Sequence, residues 1–349
     1  MDGTMKGIVK RFAEPGAELC TDIPIPSVGE DDVLVKVHVA AICGTDQHIY
    51  SWNNWAQARL RLPMVFGHEF SGEIVAAGKN VTAYRPGDRI AAETHIPCNQ
   101  CLQCRTGNAH NCENMQIIGV HAPGGFSEYA AIPQACVWKL DDAISYTHAA
   151  MLEPMGVAVH GVMSGPVSLK SVLILGCGPI GVMAVGAAKV AGASRVIAVD
   201  IVDEKLEMAR KLGADTCINT RQHPLVEAIL SMTGGTGVDV IIDYTGNVAL
   251  IEESFRCLKK GGRYTMVGLP SKKLTLDLTD AVIYKEATIN GVTGRRMYQT
   301  WYQCEDILRK KAFSLEDVIG GVYRLEDFAQ AFADISAGKP GKMLFMVSE

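Results

Sequence analysis

The stretch that most restricts the fold of this chain is Ser171-Val172-Leu173-Ile174-Leu175-Gly176-Cys177-Gly178-Pro179-Ile180-Gly181. A short apolar run, a Gly-x-Gly-x-x-Gly turn and a small, apolar, helically spaced segment from Ile180 to Gly192 read as strand, tight turn and helix. The first glycine permits the turn, the second lets backbone approach a pyrophosphate, and the third lets the helix pack close to its strand. The helix N-terminus then offers unpaired N–H groups and a partial positive charge to phosphates. Further strands are expected at 195–200, 215–219, 238–243 and 263–268, with helices at 203–212, 224–233 and 248–258 between them. Such alternation with short loops predicts βαβ crossovers and a doubly wound parallel sheet.

Asp200 ends the second of these strands, nineteen residues after Gly181. A carboxylate there hydrogen-bonds the ribose hydroxyls of NAD and repels the 2′-phosphate of NADP. Lys205, five residues on, is a cation that tolerates a phosphate, yet NAD remains the favoured cofactor. The bland alternative is a glycine turn followed by a helix-capping aspartate.

The first 150 residues carry a different pattern. Val33 to Val39 alternates at period two, and short apolar runs are broken by Gly, Pro and Asn, so this part reads as mostly β. The last fifty or so residues hold an amphipathic helical stretch, Tyr298 to Lys311, and a β-like tail, Lys342 to Val347. They are expected to return to the first domain. The organisation expected is therefore 1–160, 161–296 and 297–349.

Eleven cysteines are present, and four of them, Cys98, Cys101, Cys104 and Cys112, fall within fifteen residues as C-x2-C-x2-C-x7-C. A secreted disulfide framework spreads paired cysteines over a small chain. Four clustered thiols point instead to one tetrahedral Zn²⁺ with no open position, a structural staple for a lobe at about 95–115. An iron–sulfur cluster is the alternative, but Cys112 is followed by Glu113 rather than the proline of the bacterial motif. Upstream, Cys43-Gly44-Thr45-Asp46-Gln47-His48 and Gly67-His68-Glu69 offer thiolate, imidazole and carboxylate donors for a second metal with a position left for a substrate oxygen. Taken singly, Cys43 reads as a small buried hydrophobe and His68 as a satisfied polar residue. Their conjunction with a nucleotide fold and a second zinc candidate favours a metal.

Charge and hydropathy remove other classes. With 33 basic against 38 acidic residues the net charge is −5, so no basic face attracts nucleic acid. No apolar run reaches the length of a membrane span, and the N-terminus lacks a signal-peptide core, so a soluble cytoplasmic protein is expected.

With these residues in view, the chain resembles the zinc-dependent medium-chain dehydrogenase superfamily over essentially its whole length. The superfamily signature stands as Gly67-His68-Glu69, Gly72, Gly78 and Val81; the cysteine lobe, Gly87-Asp88, Glu153-Pro154 and the glycine fingerprint follow in family order. The resemblance implies an α/β protein with a GroES-like, mostly-β catalytic domain and a Rossmann domain. It also implies NAD, two zinc ions per subunit and a homotetramer. Within the superfamily the stretches Cys43 to Trp55 and Gly294 to Tyr302 are similar to the L-threonine 3-dehydrogenases, so L-threonine is the expected substrate and 2-amino-3-oxobutanoate the product. A polyol, butanediol or sugar-alcohol dehydrogenase is the alternative. Gly119-Val120-His121-Ala122-Pro123-Gly124 and Pro97-Cys98-Asn99-Gln100-Cys101 depart from the threonine pattern without touching a ligand position. A zinc-free, quinone-reductase-like member or an inactive nucleotide-binding relative is expected to lack Cys43, His68 or Glu69, and all three are present.

By the same resemblance Cys43 and His68 hold the catalytic zinc, with Glu69 third and Glu153 competing for that place. Thr45 and His48 match the proton-relay positions. Ile180, Val267, Gly268, Leu269, Val292 and Thr293 match contacts to the nicotinamide half, and Asp200 and Lys205 those to the adenosine ribose. Tyr50, Trp52, Trp55, Trp301 and Tyr302 are candidates for a substrate wall, or for ordinary packing.

Overall fold

A computed structural model describes residues 3–348 and divides the chain into two compact units. The first runs through Pro154 and takes in Arg296–Trp301 and everything from Ile319; the second comprises Met155–Arg295 and Tyr302–Val318. The segment 302–318 thus belongs to the nucleotide-type unit, where the sequence placed all of 297–349 in the other. Packing explains this: Phe313 lies so close over Gly186 of the helix Pro179–Val190 that a β-carbon there would stand 2.6 Å from its ring.

The first unit is mostly β. Its larger sheet runs Val137–Lys139, Arg89–Ala92, Glu69–Ala77, Asp32–Ala41, Lys342–Met346 and Ile319–Arg324, with Tyr129–Pro133 also on Asp32–Ala41. The alternating segment around Val33 is this central strand, and with three partners it is buried on both faces for most of its length. Its valines meet Phe66, Phe70, Phe126, Phe332 and Phe345 in one apolar core. A three-stranded sheet, Glu18–Pro24, Thr4–Lys10 and Met64–Val65, stands apart, and the two short strands His95–Ile96 and Gln116–Ile117 frame the cysteine lobe.

The second unit is a six-stranded sheet in the order Thr216–Asn219, Arg195–Asp200, Ser171–Leu175, Val238–Asp243, Leu258–Met266 and Thr288–Gly291, parallel throughout. The chain order reverses beside Ser171–Leu175, the switch point where ligands sit in such sheets. Leu173, Leu175, Ile197, Val199 and Ile241 are fully buried, as strands covered on both faces must be. The expected helix 248–258 stops at Ser254 and becomes a 3-10 turn, Phe255–Cys257. There the Lys285 ammonium donates to the carbonyls of Phe255 and Leu258, both at 2.6 Å, which ends the helix and lets the next strand begin at Leu258. The sixth strand, Thr288–Gly291, was not anticipated. No helix among the described residues is long and apolar enough to cross a membrane.

Candidate metal centres and nucleotide site

Cys43 is the residue that opens the helix Gly44–Tyr50. Asp46, one turn in, accepts the Cys43 N–H at 2.8 Å through Oδ2, which fixes the entry of the chain into the helix. Its other oxygen, Oδ1, lies 3.6 Å from His68 Nδ1. Just before His68 and Glu69, Gly67 turns with φ +88° against the Phe126 ring, where a β-carbon would come within 2.3 Å. The donor atoms of Cys43, His68 and Glu69 all lie within 4.8 Å of one another, and His68 and Glu69 are buried. Glu153, in the first turn of the helix Leu152–Met163, stands outside that group but acts electrostatically on Asp46, His68 and Glu69.

This cluster carries three buried carboxylates, those of Asp46, Glu69 and Glu153. Lys342 answers one of them: its ammonium lies 2.8 Å from Oε1 and 2.5 Å from Oε2 of Glu69, with both side chains buried. Burial alone would lower the lysine; Glu69, Cys43 and Glu153 instead hold it above its ordinary value. Burial also works against His68⁺, yet Asp46, Cys43 and Glu153 push that imidazole up to about 10. His68 Nδ1 and Asp46 Oδ1 are buried without a hydrogen bond. Excess buried negative charge, a convergent S/N/O donor set and orphaned polar atoms fit a divalent cation, and soft thiolate with imidazole suits zinc. Neither Asp46 nor Lys342 was given a role from sequence. Asp46 had a legible signal, an acidic residue three after the first ligand at a helix start; Lys342 had none, being 273 residues from Glu69.

The second group, Cys98, Cys101, Cys104 and Cys112, also has all four sulfurs within 4.8 Å of one another. Cys101 Sγ lies 3.5 Å from Cys104 Sγ and 3.9 Å from Cys112 Sγ. Four sulfurs about 2.3 Å from one zinc form a tetrahedron with edges of about 3.8 Å, so the spacing fits that ion. Backbone N–H groups of Gln100 and Cys101 bring the Cys98 thiol down to about 6, while desolvation and the neighbouring thiols push Cys104 up to about 12. The N–H groups of Cys98 and Asn114 also donate to Cys112 Sγ, at 3.2 and 3.4 Å. Cys104→Ala is expected to reduce bound zinc from two to one per chain while the Cys43 site keeps its metal. Metal analysis of the purified variant checks this.

The residues expected to bind the nucleotide gather at the carboxyl ends of the parallel strands. Gly176 turns with φ +88° immediately after Ser171–Leu175, and a β-carbon on Gly181 would meet the Gly176 carbonyl at 1.8 Å, so helix and turn touch through glycine alone. A β-carbon on Gly178 would meet nothing within 4 Å, and no side chain caps the helix it opens. That open cradle suits a pyrophosphate. Asp200 Oδ2 accepts Cys177 N–H at 2.8 Å, and Oδ1 accepts those of Ile201 and Val202 at 2.7 and 3.1 Å. Of about four lone-pair sites on a carboxylate, one on Oδ2 stays open for a ribose hydroxyl. Lys205 acts electrostatically on Cys177, and so sits beside the same turn. Ile180 is half-buried at the helix start; Val267, Gly268 and Leu269 follow Leu258–Met266, and Val292 and Thr293 follow Thr288–Gly291. Leu269 is 85% exposed.

Thr45 and His48 ride on the helix opened by Cys43, Thr45 half-buried and His48 exposed in the last turn. The aromatic candidates do not form one wall. Tyr50 stacks on Phe332 at 4.3 Å and Trp52 lies under the Lys10 ammonium at 5.2 Å. Trp301 is buried, stacked on Trp138 and donating to Glu93 Oε2 at 2.6 Å. Tyr302 is exposed and belongs to the other unit. Trp55 alone of these neighbours a relay residue, its ring 6.0 Å from that of His48.

Comparison with known proteins agrees with this arrangement. Residues 29–142 match the alcohol dehydrogenase GroES-like domain, and residues 179–310 match the zinc-binding dehydrogenase family. An L-threonine 3-dehydrogenase of Caldanaerobacter subterraneus subsp. tengcongensis is 43% identical over 345 residues, 99% of each chain. Among solved structures, an Escherichia coli CFT073 alcohol dehydrogenase complexed with NADH superposes with a TM-score of 0.90 at 31% identity, over 99% of each chain. A 2R,3R-butanediol dehydrogenase of Bacillus subtilis gives 0.90 at 28% identity, over 99% of this chain and all of its own.

Proposed function

The chain belongs to the zinc-dependent alcohol dehydrogenases that carry a GroES-like domain, and from that premise we propose that it oxidises L-threonine at the β-hydroxyl to 2-amino-3-oxobutanoate, with NAD as hydride acceptor. The observation that carries this reading is the convergent Cys43–His68–Glu69 donor group on a chain similar over its full length to L-threonine 3-dehydrogenases.

When bound, zinc supplies a Lewis acid for the alcohol oxygen and NAD supplies the acceptor for the hydride. Cys43, His68 and Glu69 hold the metal, with Glu153 as the alternative carboxylate. Asp46 orients the His68 ring, in the manner of a carboxylate behind a metal-bound imidazole. Burial raises the Glu69 carboxyl, and the Lys342 ammonium works against that rise while aligning it. The alcohol proton leaves through the Thr45 hydroxyl and His48, whose exposure puts the end of the path in water. At the other site the Gly176–Gly181 turn cradles the pyrophosphate, Asp200 and Lys205 face the ribose, and the loops 267–269 and 292–293 serve the nicotinamide half. Asp200 favours NAD over NADP because a 2′-phosphate would stand against its carboxylate.

The second reading, a butanediol or polyol dehydrogenase, is favoured by the likeness to the butanediol enzyme. Initial rates of reduced-cofactor formation with L-threonine, sorbitol and 2,3-butanediol, each with NAD and NADP, separate the two. Saturation by L-threonine at millimolar or lower concentration with NAD is expected; preference for a diol would transfer the reading to the second class, and preference for NADP would remove the role given to Asp200.

The assembly we infer is a homotetramer in the cytoplasm, where reduced thiols can hold zinc. Thr288–Gly291 ends its sheet with a partner on one side only, and Ile283, Tyr284 and Ile289 beside it are 66, 68 and 40% exposed. An apolar edge of this kind is suited to pairing with a second copy. Light scattering is expected to give a tetramer for the native chain and a smaller species for Ile289→Lys; a monomeric native chain would overturn the assignment.

A further inference from the structure

We propose that Asn53 is a positioning residue of the proton relay: its side-chain amide fixes the tautomer of His48. The proposal rests on the relay reading given above. The two residues lie at a helix-to-helix corner. Asn53 opens the short helix Asn54–Gln57, and its Oδ1 accepts the N–H groups of Trp55 at 3.1 Å and Ala56 at 3.2 Å. Those two bonds settle which way the amide points, since a flipped amide would turn NH₂ toward two donors. Nδ2 is thereby aimed at His48 Nδ1, 2.7 Å away. The Asn53 N–H donates to the His48 carbonyl at 3.3 Å, which ties the two residues together a second time.

An amide nitrogen only donates, so Nδ1 must accept. Neutral His48 is then the Nε2–H form, and its one lone pair is the one Asn53 holds. To take a proton from the Thr45 side the ring must gain it at Nδ1, and the Asn53 bond has to break for that to happen; the ring then releases the Nε2 proton to water. Asn53 therefore acts on the relay through the His48 ring nitrogen that it holds. An aspartate in its place would keep the helix cap, since Asn and Asp cap about equally well, but would accept from Nδ1–H and leave Nε2 as the free base. That is the carboxylate–imidazole arrangement whose reversal to an amide puts the ring of a serine protease triad in the wrong tautomer.

The experiment is long-range ¹H–¹⁵N correlation on ¹⁵N-histidine-labelled protein, with the His48 signals assigned by their loss in His48→Gln. Native protein is expected to show Nε2 protonated and Nδ1 as the acceptor. Asn53→Asp is expected to exchange the two and to change kcat several-fold at constant KM for NAD. Asn53→Ser keeps a capping oxygen without the donor, and is expected to give a mixture of tautomers. If Asn53→Asp leaves the ring in the Nε2–H form, the assignment of Asn53 is overturned. If the tautomers exchange but His48→Gln turns over at the native rate, Asn53 does set the tautomer and the relay reading is what fails; its role as a relay positioning residue falls with it.

Discussion

Cys43→Ser should abolish turnover, by at least about a thousandfold, which corresponds to ~4 kcal/mol of transition-state stabilisation. Cys43 is the thiolate of the donor group with His68 and Glu69, and a serine hydroxyl is a far poorer zinc ligand at neutral pH. The residues proposed to bind NAD lie in the other compact unit, so NAD binding, read by fluorescence titration, should stay within a few-fold of native. The zinc content should fall from two to one per chain, the opposite ion being lost from that lost in Cys104→Ala. Native turnover in Cys43→Ser would sink the assignment of the catalytic metal. Loss of NAD binding along with turnover would mean that the variant is misfolded, and the circular-dichroism spectrum would show it.

Lys342→Met should lower stability by about 3–5 kcal/mol, because it leaves a buried carboxylate without its counter-ion. Lys342 and Glu69 are 3% and 0% exposed, and the ammonium contacts both carboxylate oxygens. The loss should be read as a shift of the denaturant midpoint of chelator-treated protein, in which no metal stands beside Glu69. Adding Glu69→Gln should recover a large part of it, since the orphaned charge disappears. If Lys342→Met and the double variant are equally destabilised, the lysine acts by packing and the charge pair contributes nothing.

Much of the candidate site is legible in the sequence because its motifs are local. Four cysteines within fifteen residues bring their sulfurs within 4.8 Å of one another, since a short loop has few ways to arrange them. The glycine fingerprint is legible for the same reason: φ +88° at Gly176 and the contact of helix on turn at Gly181 are requirements on adjacent residues. Periodicity also places the strands Ser171–Leu175, Arg195–Asp200 and Val238–Asp243 to the residue, because a strand buried on both faces must be apolar throughout. Thr288–Gly291 escaped because an edge strand has no such requirement; three of its four residues are exposed.

What the sequence by itself determined is the pair of zinc-type donor sets, the glycine turn and the two-part architecture, each written in residues close together along the chain. Only the tertiary structure decided what surrounds them. The C-terminal strand Lys342–Met346 pairs antiparallel with Asp32–Ala41, which pairs in turn with Glu69–Ala77. That sheet order, and no spacing in the sequence, sets a buried ammonium against Glu69. The same holds for Asp46 behind His68, for Trp301 against Glu93 and for Phe313 over Gly186: each contact joins segments remote in sequence or turns on the placement of one side chain. Local backbone rules specify ligands, whereas burial and the pairing of distant strands specify the charges and contacts that hold the ligands in place.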